Sequence, residues 1–488
     1  MLKKVLLILS FVSISLMGAQ SSRVSALSGF ESSSQIGYTS IVPLGRVGIY
    51  DPSDVIIFPH LANKYSDFAN VYYAGPNNYN AFGTFNTMSS LTIGVADYNT
   101  KQAIWGLEGL ADTEGNPLNL ANHTYSIFAA YNLGSIDLGL SFDYWSSHFK
   151  NEVKTLDIAA NQTNTTSRTI ASSISSIKAS FGMDLGNNMG FDSLFKIDFG
   201  SYTNEAYDSI GNPKTILVNS PDAYTAISVG GRFFMDLSYT VKMTAWAFLD
   251  YNNEGYSELT YNTEHKKVNT VEHTKSSLLT NIGASFDIET IKDKLLITPS
   301  FGILISSFEI NSKSLTVPTE GSKAKDSFDK ISIPYLGLAI EYSIKSWLTI
   351  YTGYNKLVYT DTTESYKLDK ATNVTQSEVT DTSKQNKTSS NFSVGISLQN
   401  NTFKFIATLN KALLTNGPNF ISGTTAPMFL NATLQYKFGA PENKLVPKPE
   451  RYSAPKTPKK VEQQPKKEET PKVTEEEPEA TETSTDIE

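Results

Sequence analysis

Between residues 124 and 438 the chain repeats one pattern: a segment with apolar residues at every second position, a connection, and another such segment. Tyr125, Ile127, Ala129, Tyr131 and Leu133 alternate with polar or small neighbours, as do Ile136, Leu138, Leu140, Phe142 and Tyr144. A period of two belongs to a β-strand with one apolar face. The connections constrain the fold further, because they alternate in length. Short ones fall at 134–135, 186–190, near Leu237, at 290–293, 345–346 and 400–401. Long ones, rich in Thr, Ser, Asn, Asp and Lys, fall at 146–173, 203–222, 252–275, 311–330, 361–389 and 414–426. A soluble sandwich with Greek-key connections has no reason to sort its loops this way. An up-and-down β-barrel does, with short turns on one side of a membrane and long ones on the other.

The count is consistent with closure. Three short candidate strands (70–74, 81–86 and 91–97) precede a connection at 99–123, which contains another candidate in Ile104-Trp105-Gly106-Leu107. Six hairpins and a final strand at 427–438 follow, for 16 strands in all. An even number places both ends of the barrel on the same side. Pro299 lies mid-strand, where it must break a ladder bond or mark a bulge. Trp246 and Phe248 fall on the inner face, so a 14-strand barrel with one hairpin folded inward is the alternative count. The last strand ends on Phe438, and a terminal aromatic is typical of outer-membrane barrels.

The flanking regions are of different material. Lys3 and Lys4 precede an apolar run from Val5 to Met17, and small residues at Ala19 and Ala26 offer cleavage points. This is the pattern of a secretory signal, too short to span a bilayer, and residues 1–26 are assigned to it. Residues 27–67 alternate poorly. Asp51-Pro52 predicts a short helix start, which Pro59 ends within about two turns. Val55 to Phe58 and Leu61 are costly to leave in water, so residues 27–67 are read as a plug inside the barrel of residues 68–438. Residues 439–488 are rich in Pro, Lys and Glu and hold few apolar residues. They are expected to form a disordered tail on the periplasmic side.

The layout resembles the FadL family of outer-membrane transporters for hydrophobic compounds, and its PorV-like relatives. The resemblance rests on Ser32-Ser-Ser-Gln-Ile-Gly37, Gly45-Arg-Val-Gly48 and Asp51-Pro52, then three strands, a long connection and the hairpin at 124–144. Where the family commonly has Asn-Pro-Ala, this chain has Asp51-Pro52-Ser53. The resemblance implies a 14-strand barrel with an N-terminal plug. No matching motif carries the family's ligand-binding residues.

No catalytic constellation is present. There is no Gly-x-Ser-x-Gly elbow, phosphate loop or His-Glu-x-x-His. With no cysteine, disulfides and thiolate metal sites are excluded. The five histidines, His60, His123, His148, His265 and His273, form no evident site, and no metal or cofactor is expected. The net charge of −8 gives no support for a nucleic-acid partner. Asp137, Asp143, Asp184 and Asp198 share predicted inner faces with Lys178 and Lys196. They are read as the lining of a wet lumen, with a membrane-embedded hydrolase as the minor alternative. Small residues on that face, among them Gly139, Ser141, Ser180, Gly182, Gly200 and Gly283, leave room for a pore or a plug. Tyr98, Tyr131, Tyr144, Trp145, Tyr202, Tyr251, Tyr342, Trp347 and Tyr436 are expected in the aromatic girdles.

The expectation is a non-enzymatic outer-membrane channel or transporter of a Gram-negative-type bacterium, for passive uptake of small, in some cases hydrophobic, solutes. The alternative is a non-conducting scaffold or secretion partner. The partners considered are membrane lipid, a hydrophobic small molecule and a periplasmic partner of the tail.

Overall fold

The computed structural model describes residues 27, 51–73, 79–88, 90–99, 123–157, 162–207, 213–219, 224–261, 267–315, 322–371, 374–409 and 430–438. The signal-like segment, most of 27–50, the candidate strand at 104–107 and the 439–488 tail lie outside these residues.

Seventeen strands form one antiparallel sheet that closes on itself. In chain order they are β1 (Phe68–Tyr73), β2 (Tyr79–Met88), β3 (Leu91–Asn99), β4 (His123–Asn132), β5 (Ile136–Asp157), β6 (Gln162–Gly186), β7 (Met189–Tyr207), β8 (Pro213–Asn219), β9 (Tyr224–Asp236), β10 (Val241–Tyr261), β11 (Lys267–Ile291), β12 (Leu295–Ser314), β13 (Lys323–Lys345), β14 (Leu348–Ala371), β15 (Val374–Gln399), β16 (Phe403–Leu409) and β17 (Leu430–Lys437). Both β8 and β9 pair with β7 and β10, end to end, so they make one interrupted stave and the barrel has 16. This is the number counted from the strand pattern, and it overturns both the alternative of 14 with one hairpin folded inward and the 14 that the family resemblance implies. Closure is between β1 and β17, in register from Phe68↔Lys437 to Tyr73↔Ala432. Just beyond it the Phe438 amide donates to the Asp67 carbonyl at 2.8 Å.

Along each stave the outer face is apolar. Ile127, Leu140, Phe142, Phe195, Phe301, Ile303 and Phe392 are among the large apolar side chains left exposed there, as lipid-facing strands require. On β15 this face is confined to the last eight residues, with Phe392, Ile396 and Leu398 pointing out; above them residues 380–388 are exposed and polar on both faces. The strand has 26 residues, whereas about 9–11 cross a bilayer. Roughly 15 residues therefore rise beyond the membrane, on the order of 40 Å along the tilted axis.

This corrects the expected long loops. Segments 146–173, 252–275, 311–330 and 361–389 are mostly strand, reaching as far as Asp157 and Gln162, Tyr261 and Lys267, Ser314 and Lys323, and Ala371 and Val374. Once a hairpin is paired inside the membrane its ladder can continue into water. There both faces are polar, so no apolar alternation marks it in the sequence. The wall is uneven. From β5 to β15 it is tall, except at the broken stave, whereas β16, β17 and β1–β4 have 6 to 10 residues each.

The short turns follow from local chemistry. Asn187 and Asn188 both have positive φ, at 52° and 60°, as a tight hairpin turn needs. Gly134 at φ 92° does the same between β4 and β5. Pro299 interrupts pairing as expected: the β11–β12 ladder passes from Ser285↔Ser300 to Ile288↔Ile297, and Thr298 Oγ1 donates to Asp287 Oδ1 at 2.6 Å.

Candidate functional site

Inside the barrel, near the turns, sits residues 51–67 of the chain itself. Instead of one short helix they form two 3-10 turns, Pro52–Ile56 and Pro59–Asn63. Asp51 caps the first, accepting from the Ser53 amide at 3.0 Å. Pro59 ends the first turn and opens the second, since its fixed φ suits a helix start but not an interior.

Val55, Ile56, Ile57, Phe58 and Leu61 are all buried, packed with Phe82, Phe128, Leu194, Trp246 and Phe248 of the wall. Burying each such side chain is worth about 1.5–3 kcal/mol. Phe58 meets Phe248 edge-on, centroids 6.1 Å apart. The inward aromatics of β10, anomalous in a wet lumen, are thus the apolar seat of this segment.

Polar groups fix its position. Arg232 on β9 donates to Asp54 Oδ2 at 2.8 Å and to Asp192 Oδ2, on β7, at 2.9 Å. The other Asp192 oxygen lies 2.9 Å from His60 Nε2. The Arg232 guanidinium also lies over the Phe58 ring, 4.3 Å from its centroid. The His60 amide donates to Ser180 Oγ at 3.0 Å, and Lys178 Nζ to the Ile56 carbonyl at 2.7 Å. Asn63 donates to Asp137 at 2.8 Å. All four side chains of the Asp54–Arg232–Asp192–His60 chain are buried, where charges are tolerated only when paired.

The small inner residues make the space. A Cβ on Gly139 would lie 2.1 Å from the His60 backbone nitrogen, and one on Gly182 2.6 Å from the His60 ring. Leu27 is also buried inside, clustered with Ala339, Tyr351 and Ile406.

The predicted inner carboxylates face inward and have partners. Asp143 pairs with Lys178 at 2.7 Å and accepts from Ser126 and Ser141. Asp198 pairs with Lys196 at 2.6 Å. Asp137 accepts from Asn63 and Asn132, and Asp184 caps the turn through the Gly186 amide. Of the histidines, His273 on β11 lies 2.7 Å from Ser312 Oγ, His265 and the side chains of His123 and His148 lie outside the described set, and His60 joins the plug. Trp145 is a correction: it points inward, 1% exposed, one residue out of phase with the outward Tyr144. Tyr131, Tyr144, Tyr251, Tyr342 and Trp347 are exposed as girdle residues should be; the side chains of Tyr98 and Tyr202 lie outside the described set.

Asp54, Asp192, Arg232 and Tyr224 were not singled out from the sequence. Arg232, a charge at an inner position beside Gly230 and Gly231, carried a usable signal. Nothing in the sequence joins it to residues 40 and 178 positions away.

A closed antiparallel barrel with an apolar outer band, a polar interior and an N-terminal segment seated within it defines a plugged transmembrane barrel of the outer-membrane type. No family model matches the chain, and neither does any curated protein. Among solved structures it is similar to the Pseudomonas putida toluene transporter TodX (8% identity, 86% of this chain and 98% of that one, TM-score 0.35). It is also similar to the ferric yersiniabactin uptake receptor FyuA from Yersinia pestis (8%, 76% and 79%, TM-score 0.33) and to the outer membrane protease OmpT from Escherichia coli (10%, 62% and 96%, TM-score 0.24). The likeness is one of fold alone.

Proposed function

We propose that the protein is an outer-membrane channel for small polar solutes, with passage controlled by its own N-terminal segment. The observation that carries this reading is the seat of residues 51–67. A barrel of 16 strands is wide enough to hold an aqueous channel, and here that width is spanned by a segment held through one apolar cluster and one buried ionic chain. The charged and hydroxyl groups above the seat, such as Lys196, Asp198 and Ser228, support polar solutes over the hydrophobic compounds handled by FadL-like barrels.

Purified protein in liposomes should admit small neutral or zwitterionic solutes slowly, and deletion of residues 27–67 should raise the flux at least tenfold. Vesicles that stay tight in both forms would sink the channel reading. The tall polar wall on the outer side favours a second reading, a non-conducting scaffold that presents that wall to a partner. It predicts tight vesicles together with a partner that co-purifies with the intact protein.

A further inference from the structure

Part of what holds residues 51–67 in the lumen reads polypeptide backbone. Lys178 Nζ, on β6, donates to the Ile56 carbonyl at 2.7 Å, and the His60 amide donates to Ser180 Oγ, on the same strand, at 3.0 Å. Gly139 and Gly182 are bare so that this stretch can approach. A Cβ on the first would lie 2.6 Å from the Pro59 carbonyl carbon, and one on the second 2.6 Å from His60 Cδ2. The space is the imprint of the segment itself.

Side chains add specificity. Arg232 divides its guanidinium, with Nη2 on the wall's own Asp192 and Nη1 on Asp54 of the segment. One arm is therefore given to whatever lies in the seat, and a charged bond of this kind is about twice as strong as a neutral one. Asp192 Oδ1 meets His60 Nε2, while Lys178 also stays tied to Asp143 on β5. The Phe58 ring has the Arg232 guanidinium over its face and Phe248 at its edge, within the apolar cluster that takes Val55, Ile56, Ile57 and Leu61. An enclosed aromatic beside a charged bond is the usual pattern of the contacts that dominate a polypeptide interface. Counted from the Asp54 carboxylate, the seat reads a carbonyl two residues on, an aromatic ring at four and an amide at six.

The wall supplies all of these partners, from β5, β6, β7, β9 and β10. None of them needs the covalent link from Asp67 to β1. We infer that this wall is a binding site for a peptide with an acidic residue four positions before an aromatic in an apolar run. Residues 51–63 occupy it as a tethered ligand, which a second polypeptide of the same pattern can replace. This names the kind of partner that acts on the gate proposed above, and it rests on that reading. A tether keeps its ligand at a high local concentration, on the order of millimolar for short flexible linkers, so exchange shows only once the plug's own grip is weakened.

The test uses the full chain carrying Asp54→Asn and Phe58→Ala, which weakens the plug and leaves the wall untouched. Phe58→Ala alone takes its place if heat-modifiable gel mobility shows the double variant unfolded. The probe is a fluorescein-labelled synthetic peptide of residues 51–63, read by anisotropy in detergent. It should bind the weakened chain saturably and the wild type at least tenfold less tightly. The same peptide with Asp54→Asn should bind roughly tenfold more weakly, and that difference should vanish when Arg232→Met is added to the barrel. No saturable binding overturns the site. So does a scrambled peptide that binds equally, which would mean partition into detergent, or an Asp54→Asn peptide that binds as well as the original. Liposomes separate the two readings. Peptide binding by a weakened chain whose vesicles stay tight keeps the site and discards the channel; flux through a weakened chain that binds no peptide keeps the channel and discards the site.

Discussion

Arg232 and Lys325 each hold a carboxylate at 2.8 Å, and there the likeness ends. The Arg232 side chain is 1% exposed and spans two acids, one on the plug and one on the wall. Lys325 is 46% exposed and meets Glu309 on the projecting part of β12 and β13. In the lumen, separating the charges leaves a bare ion where water cannot reach it. On the projecting wall, water replaces the partner almost at once. The same pairing therefore locks one region and merely decorates the other.

Three experiments can break or sharpen this contrast. The largest effect is expected from Arg232→Met, which leaves the Asp54 and Asp192 carboxylates buried without their cation. Removing one member of a buried pair costs about 3–5 kcal/mol, concentrated on the seat. Residues 51–67 should become accessible to protease and liposome flux should rise, while the barrel stays folded by gel mobility. A plug still protected in Arg232→Met would show that the apolar contacts suffice alone. Replacing Asp54, Arg232 and Asp192 together by apolar residues of similar size should recover most of the loss.

Gly139→Ala should come next. Its Cβ would meet backbone, not a flexible side-chain end, and overpacking of this kind costs about 1–3 kcal/mol. The measurement is the same protease protection, with flux raised less than by Arg232→Met.

The smallest effect is expected from Glu309→Gln, at ~0.5 kcal/mol or less for so exposed a pair. Its sign with pH can be worked out. Hydrogen bonds from Lys325 and Asn311 hold the Glu309 carboxyl below its ordinary value. Its contribution is thus present above about pH 4.3 and lost as pH falls through the lower, folded value. The hydrogen bond to Glu309 raises the Lys325 ammonium, whose share is complete below about pH 10.4 and lost as pH climbs past the raised value. Thermal melting of wild type and Glu309→Gln should therefore converge in strong acid and differ slightly at neutral pH. A neutral-pH gap as large as that of Arg232→Met would collapse the distinction between the two regions.

Legibility in the sequence followed the membrane. Where strands face lipid on one side, as at Leu138, Leu140 and Phe142, alternation is strict, and the number of staves and their facing could be read directly. Where the same strands enter water, at 380–388 for example, Thr, Ser, Asn and Lys on both faces erase the period and strand looks like loop. Trp145 was assigned to the girdle because it falls near a predicted strand end, yet it lies one step from the outward Tyr144, and one step along a strand reverses the face. The seat was half visible. The apolar run from Val55 to Phe58 demanded burial, and Trp246 and Phe248 were noticed as misplaced, but matching them to each other required the closed barrel. The Asp54–Arg232–Asp192–His60 chain joins residues from three distant parts of the chain, and no local pattern could reveal it.

The bond from Phe438 to Asp67 has a topological consequence. With β1 paired along its whole length to residues 432–437 of β17, the sheet is a ring without a first or last stave, and the order in which the chain visits it is a convention of where the polypeptide was cut. A circular permutant that joins residues 67 and 438 through a short linker and opens between Gly134 and Ser135 would keep every strand pairing intact. Such a chain leaves out the plug and the residues beyond 438, so its folding tests whether the ring stands without them.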